Sequence, residues 1–481
     1  MNEGDKSAIP DEYPGQGVGM PSTAYPQATC PCAGTLSPPR TGCEPTRGCL
    51  ILAMSSSSTF WFSPAPSEVS SSRISLDFGL RAADQFFREL VVPEIGRIWF
   101  ARQLSWPLAA LALHKELASH GSNAPKPTAI CHGIEALACK LEYDVDDPQT
   151  PSPRILGRRA FGRDAEREVW SFHRLRQATN YVRNTHRQAA TRAIRVDGGL
   201  GFASGSRFDL LELEPVGCAL AKAFLEQRVG QGGTRLRRWL LGWLGGDREI
   251  SDRRNTLLQA LSPEHATDEE RTLVRSRLLG TSTPASEKRQ RLASAVGRAA
   301  DVPDIENVVV VRLHNAGHSK QADEVVVARA FGAVLDRARD AVARLTRAVE
   351  PGRGGVKLAT LASDAALKKS IKDLRTASRN YVEKANTTGV KEGTSLSFAD
   401  AVVAANDAEA IRLLVKRADE VLGLADGSVI RGPLFRVVDA TDETGDLEDG
   451  AESIEPDRTG RTFRIANLHS LLRDVAPRGA Q

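Results

Sequence analysis

NYVRNTHRQAATRAIR (Asn180–Arg195), VDGGLGFASGSRFDLLEL (Val196–Leu213) and LEPVGCALAKAFLE (Leu213–Glu226) are consecutive stretches with three different patterns. In the first, Asn180, Arg183, Asn184, Arg187, Thr191 and Arg195 recur at helical spacing on one polar face, with Val182, Ala189 and Ala193 on the other. The second alternates glycines with strand-like residues, and Gly199, Gly201 and Gly205 read as a tight hairpin. A phosphate-cradling loop would follow a strand and open into a helix, whereas here a helix comes first and FDLLEL follows. The third stretch places Leu220, Ala221 and Phe224 on one apolar helical face. From Asp164 onward the order is therefore two short helices, a hairpin and a closing helix.

With Gly217, Leu220, Ala221 and Phe224, the third stretch resembles the close of many bacterial winged helices, and Asp164–Glu226 resembles a winged-helix domain as a whole. That resemblance implies a second helix lying in the major groove of duplex DNA, with the wing on the backbone. Asn180, Arg183, Asn184, Arg187 and Arg195 would then contact bases or phosphates, and Arg207 would be the wing contact. Charge points the same way. Between Arg154 and Arg254 there are 20 Arg and Lys against 11 Asp and Glu, in a chain whose net charge is only +4. The alternative is a winged helix used only for packing or protein contact.

Outward from this segment the chain reads as several units, as 481 residues exceed what one core usually serves. Residues 1–53 are dense in Pro, Gly, Thr and Ser without apolar period, which predicts a disordered leader; as Met54 opens MSSSSTFWF, they read equally as an over-extended gene start. Residues 54–147 form an N-terminal helical domain. Its first helix carries Leu80, Ala83, Phe87 and Leu90 and stops at Pro93; Trp99–Ser119, with a break or kink near Pro107, and Ile130–Leu141 follow. Asp144–Arg154 is the first linker, leading to the winged-helix-like domain at 148–231. A helical connector at 232–300 holds a helix in Gly232–Gly246, capped by Thr234, then Asp252–Leu261 and Asp268–Leu279. The C-terminal helical domain, 301–481, shows a stripe from Val327 to Val349, a second through Leu367, Ile371, Leu374 and Tyr381, and a helix Ala401–Leu424 capped by Ser397. Leu434–Asp439 and Arg461–Leu468 read as a small terminal β-hairpin. The fold class expected is mainly α, multi-unit, with an embedded winged helix.

Composition fits this reading: 41 % hydrophobic but only 5 % aromatic residues leave alanine and leucine to fill helical cores. No run of about 18 apolar residues occurs, so no membrane partner is expected and a cytoplasmic location is. Local catalytic motifs are missing, with no Gly-Lys dipeptide of a P-loop, no His-Glu-x-x-His and no Gly-x-Ser-x-Gly. An enzyme would need a site assembled from distant residues such as Glu142, His173, His186 and Asp209. Seven cysteines suggest no zinc site: Cys30, Cys32, Cys43 and Cys49 have the wrong spacing, and Cys131-His132 with Cys139 reads as core. His314 and His318 straddle Gly317 and read as a polar loop, and the carboxylates from Asp439 to Asp457 as a solvated one. No cofactor or metal is expected.

Leu76–Trp106 resembles the opening of large helical bacterial proteins from defence-type gene neighbourhoods. Together the readings imply a nucleic-acid-associated, non-catalytic component of a bacterial DNA-transaction or phage-defence system, with double-stranded DNA as partner. The rival is a scaffold that engages a protein through the C-terminal helices.

Overall fold

Helix α1 (Arg81–Val91) buries Ala83, Phe87 and Val91 and ends just before Pro93, which has no N–H to continue it. The chain then turns through Glu94 and Gly96, both at positive φ. Gly96 is required twice over, because an added Cβ would also lie 2.3 Å from the Ala189 carbonyl oxygen. The computed structural model describes residues 76, 78–121, 124–146, 155–163, 170–182, 185–229, 233–246, 250, 254–280, 282–297, 304–349, 355–433 and 465–477. The leader, its cysteines, Arg183, Asn184, most of the linker, the strand expected at Leu434–Asp439 and the acidic loop lie outside them. The described residues fold as a mainly α structure with small antiparallel sheets.

Helix α2 (Arg102–His120) continues through Pro107, so of the expected break or kink there is no break. Pro107 lies in the second turn and is buried, so the loss of one backbone bond is set against burial of its ring. Helix α3 (Pro127–Val145) lies against α2, followed by α4 (Arg158–Arg163), α5 (Phe172–Leu175) and α6 (His186–Ile194). Strands β1 (Ala203–Ser204) and β2 (Glu212–Leu213) then pair, with Ala203 opposite Leu213, and α7 (Pro215–Leu225) follows. Both α6 and α7 pack on α2. Gly217 lets α7 approach the hairpin, since a Cβ there would stand 2.0 Å from the Phe202 carbonyl oxygen.

Thr234 does not cap the next helix. It sits in β4 (Thr234–Arg235), paired with β3 (Arg228–Val229), and α8 (Leu236–Leu244) starts after Arg235. Helices α9 (Arg254–Leu261) and α10 (Asp268–Leu279) match their expected places. Thr267 and Glu270 close the start of α10 as a capping box. The same Glu270 carboxylate accepts from the fully buried Arg102 (2.7 Å), whose Nη1 also donates to the Ala260 carbonyl (2.8 Å). Helices α11 (Pro284–Val296) and α12 (Ile305–Asn315) lead to the long α13 (Ser319–Ala348), which carries the stripe expected from Val327.

Beyond α13 come β5 (Val356–Lys357), α14 (Leu358–Ser363) and α15 (Ala365–Thr388), which packs along α13. The single helix expected at Ala401–Leu424 is instead α16 (Gly393–Ala404), α17 (Asp407–Arg417) and strand β6 (Leu422–Ala425). Asn406 and Glu409 form a capping box that starts α17 afresh, and Glu392, not Ser397, caps α16. Asp426 and Gly427, both at positive φ, turn β6 into β7 (Ser428–Arg431), the geometry of a two-residue hairpin. The sheet order is β5-β7-β6. Of the terminal strand expected at Arg461–Leu468, residues 461–464 lie outside the described residues and the rest is corrected: Ile465–Asp474 is a helix, α18, because Ile465, Leu468 and Leu471 share a buried helical face.

All described residues fall within one compact unit, Pro66–Gln481, and their cores are continuous. Phe87 of α1 meets Phe331 of α13 at 4.8 Å and Tyr381 of α15 at 6.0 Å. Asp474 of α18 accepts the Ala101 N–H at 2.7 Å, at the start of α2. Thus segments far apart in sequence share one interior.

Candidate nucleic-acid interface

The polar face expected along Asn180–Arg195 does not form, because the helix starts only at His186. Ala178–Asn180 makes a short 3-10 turn, and the backbone leaves helical geometry at Tyr181 (φ −142°, ψ −106°). Tyr181 is held there by burial. Its ring stacks on Phe161 at 5.9 Å and meets His132 edge-on at 5.3 Å, and its hydroxyl lies 3.3 Å from the Cys139 sulfur. Asn180 turns inward along the chain and donates to the Arg174 carbonyl at 3.0 Å.

Along α6 every residue is buried or half-buried. A helix that enters the major groove needs an exposed face. Arg187 places its guanidinium over the Phe208 ring at 5.1 Å, while its backbone N–H donates to Glu135 at 2.5 Å. Thr191 donates back to the Arg187 carbonyl, and Arg192 pairs with Glu89 at 3.4 Å. Arg195, half-buried, closes the helix and bridges to Ala203. Only Arg207, on the hairpin, is exposed among the described members of the expected set, and Asp209 and Glu212 are exposed close by. Asp209 also accepts the backbone N–H of Thr128 at 2.7 Å, capping α3.

Behind α6 lies a buried polar knot. Glu135 takes the Arg187 N–H and the Cys131 thiol (3.4 Å), so its carboxyl caps the helix from a neighbouring one. Burial pushes that carboxyl up to about 8 in spite of the hydrogen bonds and Arg187 that oppose it. Burial and the Arg187 charge hold His132 down at about 4, and burial raises the Cys131 and Cys139 thiols, the latter to about 12. A nucleophilic cysteine needs a lowered thiol pKa, so the knot has the character of packing. His186 (Gln103, 3.2 Å) and Asp209 (Thr128) have separate partners and do not meet as an assembled site. His314 lies 3.4 Å from the Ser319 hydroxyl, and no group of three or more metal-ligating side chains converges among the described residues.

The open cationic surface is elsewhere, and the sequence reading passed over it. Lys368, Lys369, Lys372, Arg375 and Arg379 of α15, with Thr376 and with Asp407 at the start of α17, line a groove of about 570 Å³. Lys368, Lys372, Arg375 and Arg379 follow one another at helical spacing, on a different face from the buried Leu367, Ile371, Leu374 and Tyr381. Lys368, Lys369, Lys372 and Arg379 are exposed, and among the described residues no ion pair engages them. The signal in the sequence is the run KKSIKDLRTASR (Lys368–Arg379), where five cations stand against one carboxylate.

Compared with known proteins, the chain matches no family model, no curated protein and no solved structure. Among the described residues no helix is long and apolar enough to cross a membrane.

Proposed function

We propose that the protein is a nucleic-acid-associated binding protein that holds double-stranded DNA by its phosphate backbone, through the cationic face of α15. The observation that carries this reading is the α15 groove, with five cations and one carboxylate among its lining residues. From Lys368 to Arg379 the helix rises about 16 Å, a length over which a duplex strand presents several phosphates. No aromatic side chain lines the groove, so it offers no platform for stacking unpaired bases. Binding of this kind positions a duplex without reading its sequence. A place in a bacterial DNA-transaction or phage-defence system rests on the Leu76–Trp106 resemblance.

The scaffold reading has one observation in its favour. Phe86 stands 40 % exposed and lines a groove of about 510 Å³ with Ala82, Leu90 and Arg192. The C-terminal stripes expected to receive a partner are instead buried within this chain.

Fluorescence anisotropy with a duplex of random sequence at low salt tests the proposal. The parent should bind, and the triple variant Lys368→Gln/Lys372→Gln/Arg379→Gln should bind at least about tenfold more weakly. A parent that fails to bind, or an unweakened triple variant, would shift the account to the scaffold.

A further inference from the structure

Arg375 differs from its cationic neighbours in being built into its place. Its side chain is 18 % exposed, and its Nη2 donates both to the Ala405 carbonyl (2.9 Å), at the end of α16, and to Asp407 Oδ1 (3.0 Å), at the start of α17. Two helix ends thus hold one edge of the guanidinium fork. The Nε–H, which shares the side-on edge of the fork with Nη2, is buried and has no hydrogen-bond partner. A guanidinium offers five donors in a fixed plane that suits two oxygens of one anion, and an unmade bond at a buried donor is costly. The surrounding groove supplies Lys368, Lys369, Lys372 and Arg379, all of the sign an anion needs.

We infer that Arg375 is the docking point for one phosphate group within the α15 groove, and that Asp407 is a built-in competitor for it. This rests on the backbone-binding reading for its macromolecular ligand, but the chemistry, a tetrahedral phosphate on a pre-oriented guanidinium, stands on the local geometry. A phosphate displaces the Asp407 carboxylate from this edge and accepts from Nη2 and the Nε–H, while the Ala405 carbonyl keeps the plane in place. Lys372 and Arg379, one helical turn to either side, neutralise the remaining charge. Asp407, the carboxylate among the lining residues, is held against the same guanidinium and repels the incoming anion. Its removal should therefore tighten binding, whereas removal of a carboxylate remote from an anion site changes little.

The test measures binding of inorganic pyrophosphate by calorimetry and of a random duplex by anisotropy, for the intact chain and three variants. Asp407→Asn should tighten both ligands about threefold or more, and Arg375→Lys should weaken both about tenfold, because a lysine cannot present the planar fork. Lys369→Gln, at the groove edge, should cost distinctly less than Arg375→Lys. The Asn406–Glu409 capping box leaves α17 anchored in Asp407→Asn, so this arm holds even if Arg375→Lys disturbs the fold. If the duplex binds but Asp407→Asn changes nothing and Arg375→Lys behaves like Lys369→Gln, the docking point is refuted while the backbone-binding function survives. If pyrophosphate follows the expected signs and no duplex binds, the docking point stands and the nucleic-acid reading falls.

Discussion

The segment 170–229 and helix α15 are both rich in arginine or lysine, yet they use their charges in opposite directions. Around α6, Arg187 lies over Phe208 and Arg192 pairs with Glu89, so the cations serve the packing of a helix wedged against α2. On α15 the apolar stripe is buried against α13 and α16, while Lys368, Lys369, Lys372 and Arg379 face water. A basic surplus in sequence is therefore not a basic surface. What decides is whether the helix that carries the cations has a second layer over them.

The inward use of charge reaches its limit at Arg102, and there the expected effect is largest. Arg102→Met would leave the buried Glu270 carboxylate without its cation and should cost about 3–5 kcal/mol in chemical denaturation. A loss below about 1 kcal/mol would mean that water reaches Glu270 and that the interior is looser than described.

The contrast sharpens at Arg187. Arg187→Ala removes a half-buried stem and the contact with Phe208, so stability should fall by about 1–2 kcal/mol while duplex affinity stays the same. This reverses the behaviour expected from sequence, in which Arg187 is an exposed DNA contact. Lost affinity with unchanged stability would restore the recognition-helix account.

The knot behind α6 gives a comparable effect through pH. Glu135 is raised from its ordinary value to about 8, so between the two values the folded state binds more protons than the unfolded one and stability falls as pH rises. His132, lowered from 6.5 to about 4, acts oppositely, its contribution being lost as pH falls through that window. From pH 6.5 to 8 Glu135 acts without that opposition. Stability should drop there by up to about 1.4 kcal/mol per pH unit, and Glu135→Gln should flatten the profile. A profile of Glu135→Gln that falls as steeply as the parent's would show that another group titrates.

The smallest effect belongs to Arg207, exposed on the hairpin beside Asp209 and Glu212. Arg207→Ala should change neither stability nor duplex affinity by more than about 0.5 kcal/mol. A larger loss of affinity would return the hairpin to the interface.

Long apolar stripes were legible from sequence: α10, α13 and α15 lie where their periodicity puts them, because burial of one face over several turns leaves little choice. The hairpin and closing helix at 203–225 were legible too, from the glycines and the run around Phe224. Three features were not. Tyr181 breaks its helix because His132 and Phe161 hold its ring, contacts no local window contains. The β6–β7 hairpin around Asp426-Gly427 follows residues whose spacing also fits a helix, so local pattern alone does not separate the two. Arg187 reads as a surface residue in sequence because Phe208 and Glu135, which hold it, lie far from it in the chain. The basic face of α15 was present in the sequence, but only the burial of its opposite side distinguishes it from an ordinary solvated run.

The salt dependence of duplex binding tests the central claim most directly. With four unpaired cations on α15 beside Arg375, the plot of log K against log salt should have a slope of about −4 for the parent, shrinking to about −1 to −2 in the Lys368→Gln/Lys372→Gln/Arg379→Gln variant and unchanged in Arg187→Ala. The same steep slope in the triple variant, or a slope lost only in Arg187→Ala, would place the DNA on α6 and contradict the account.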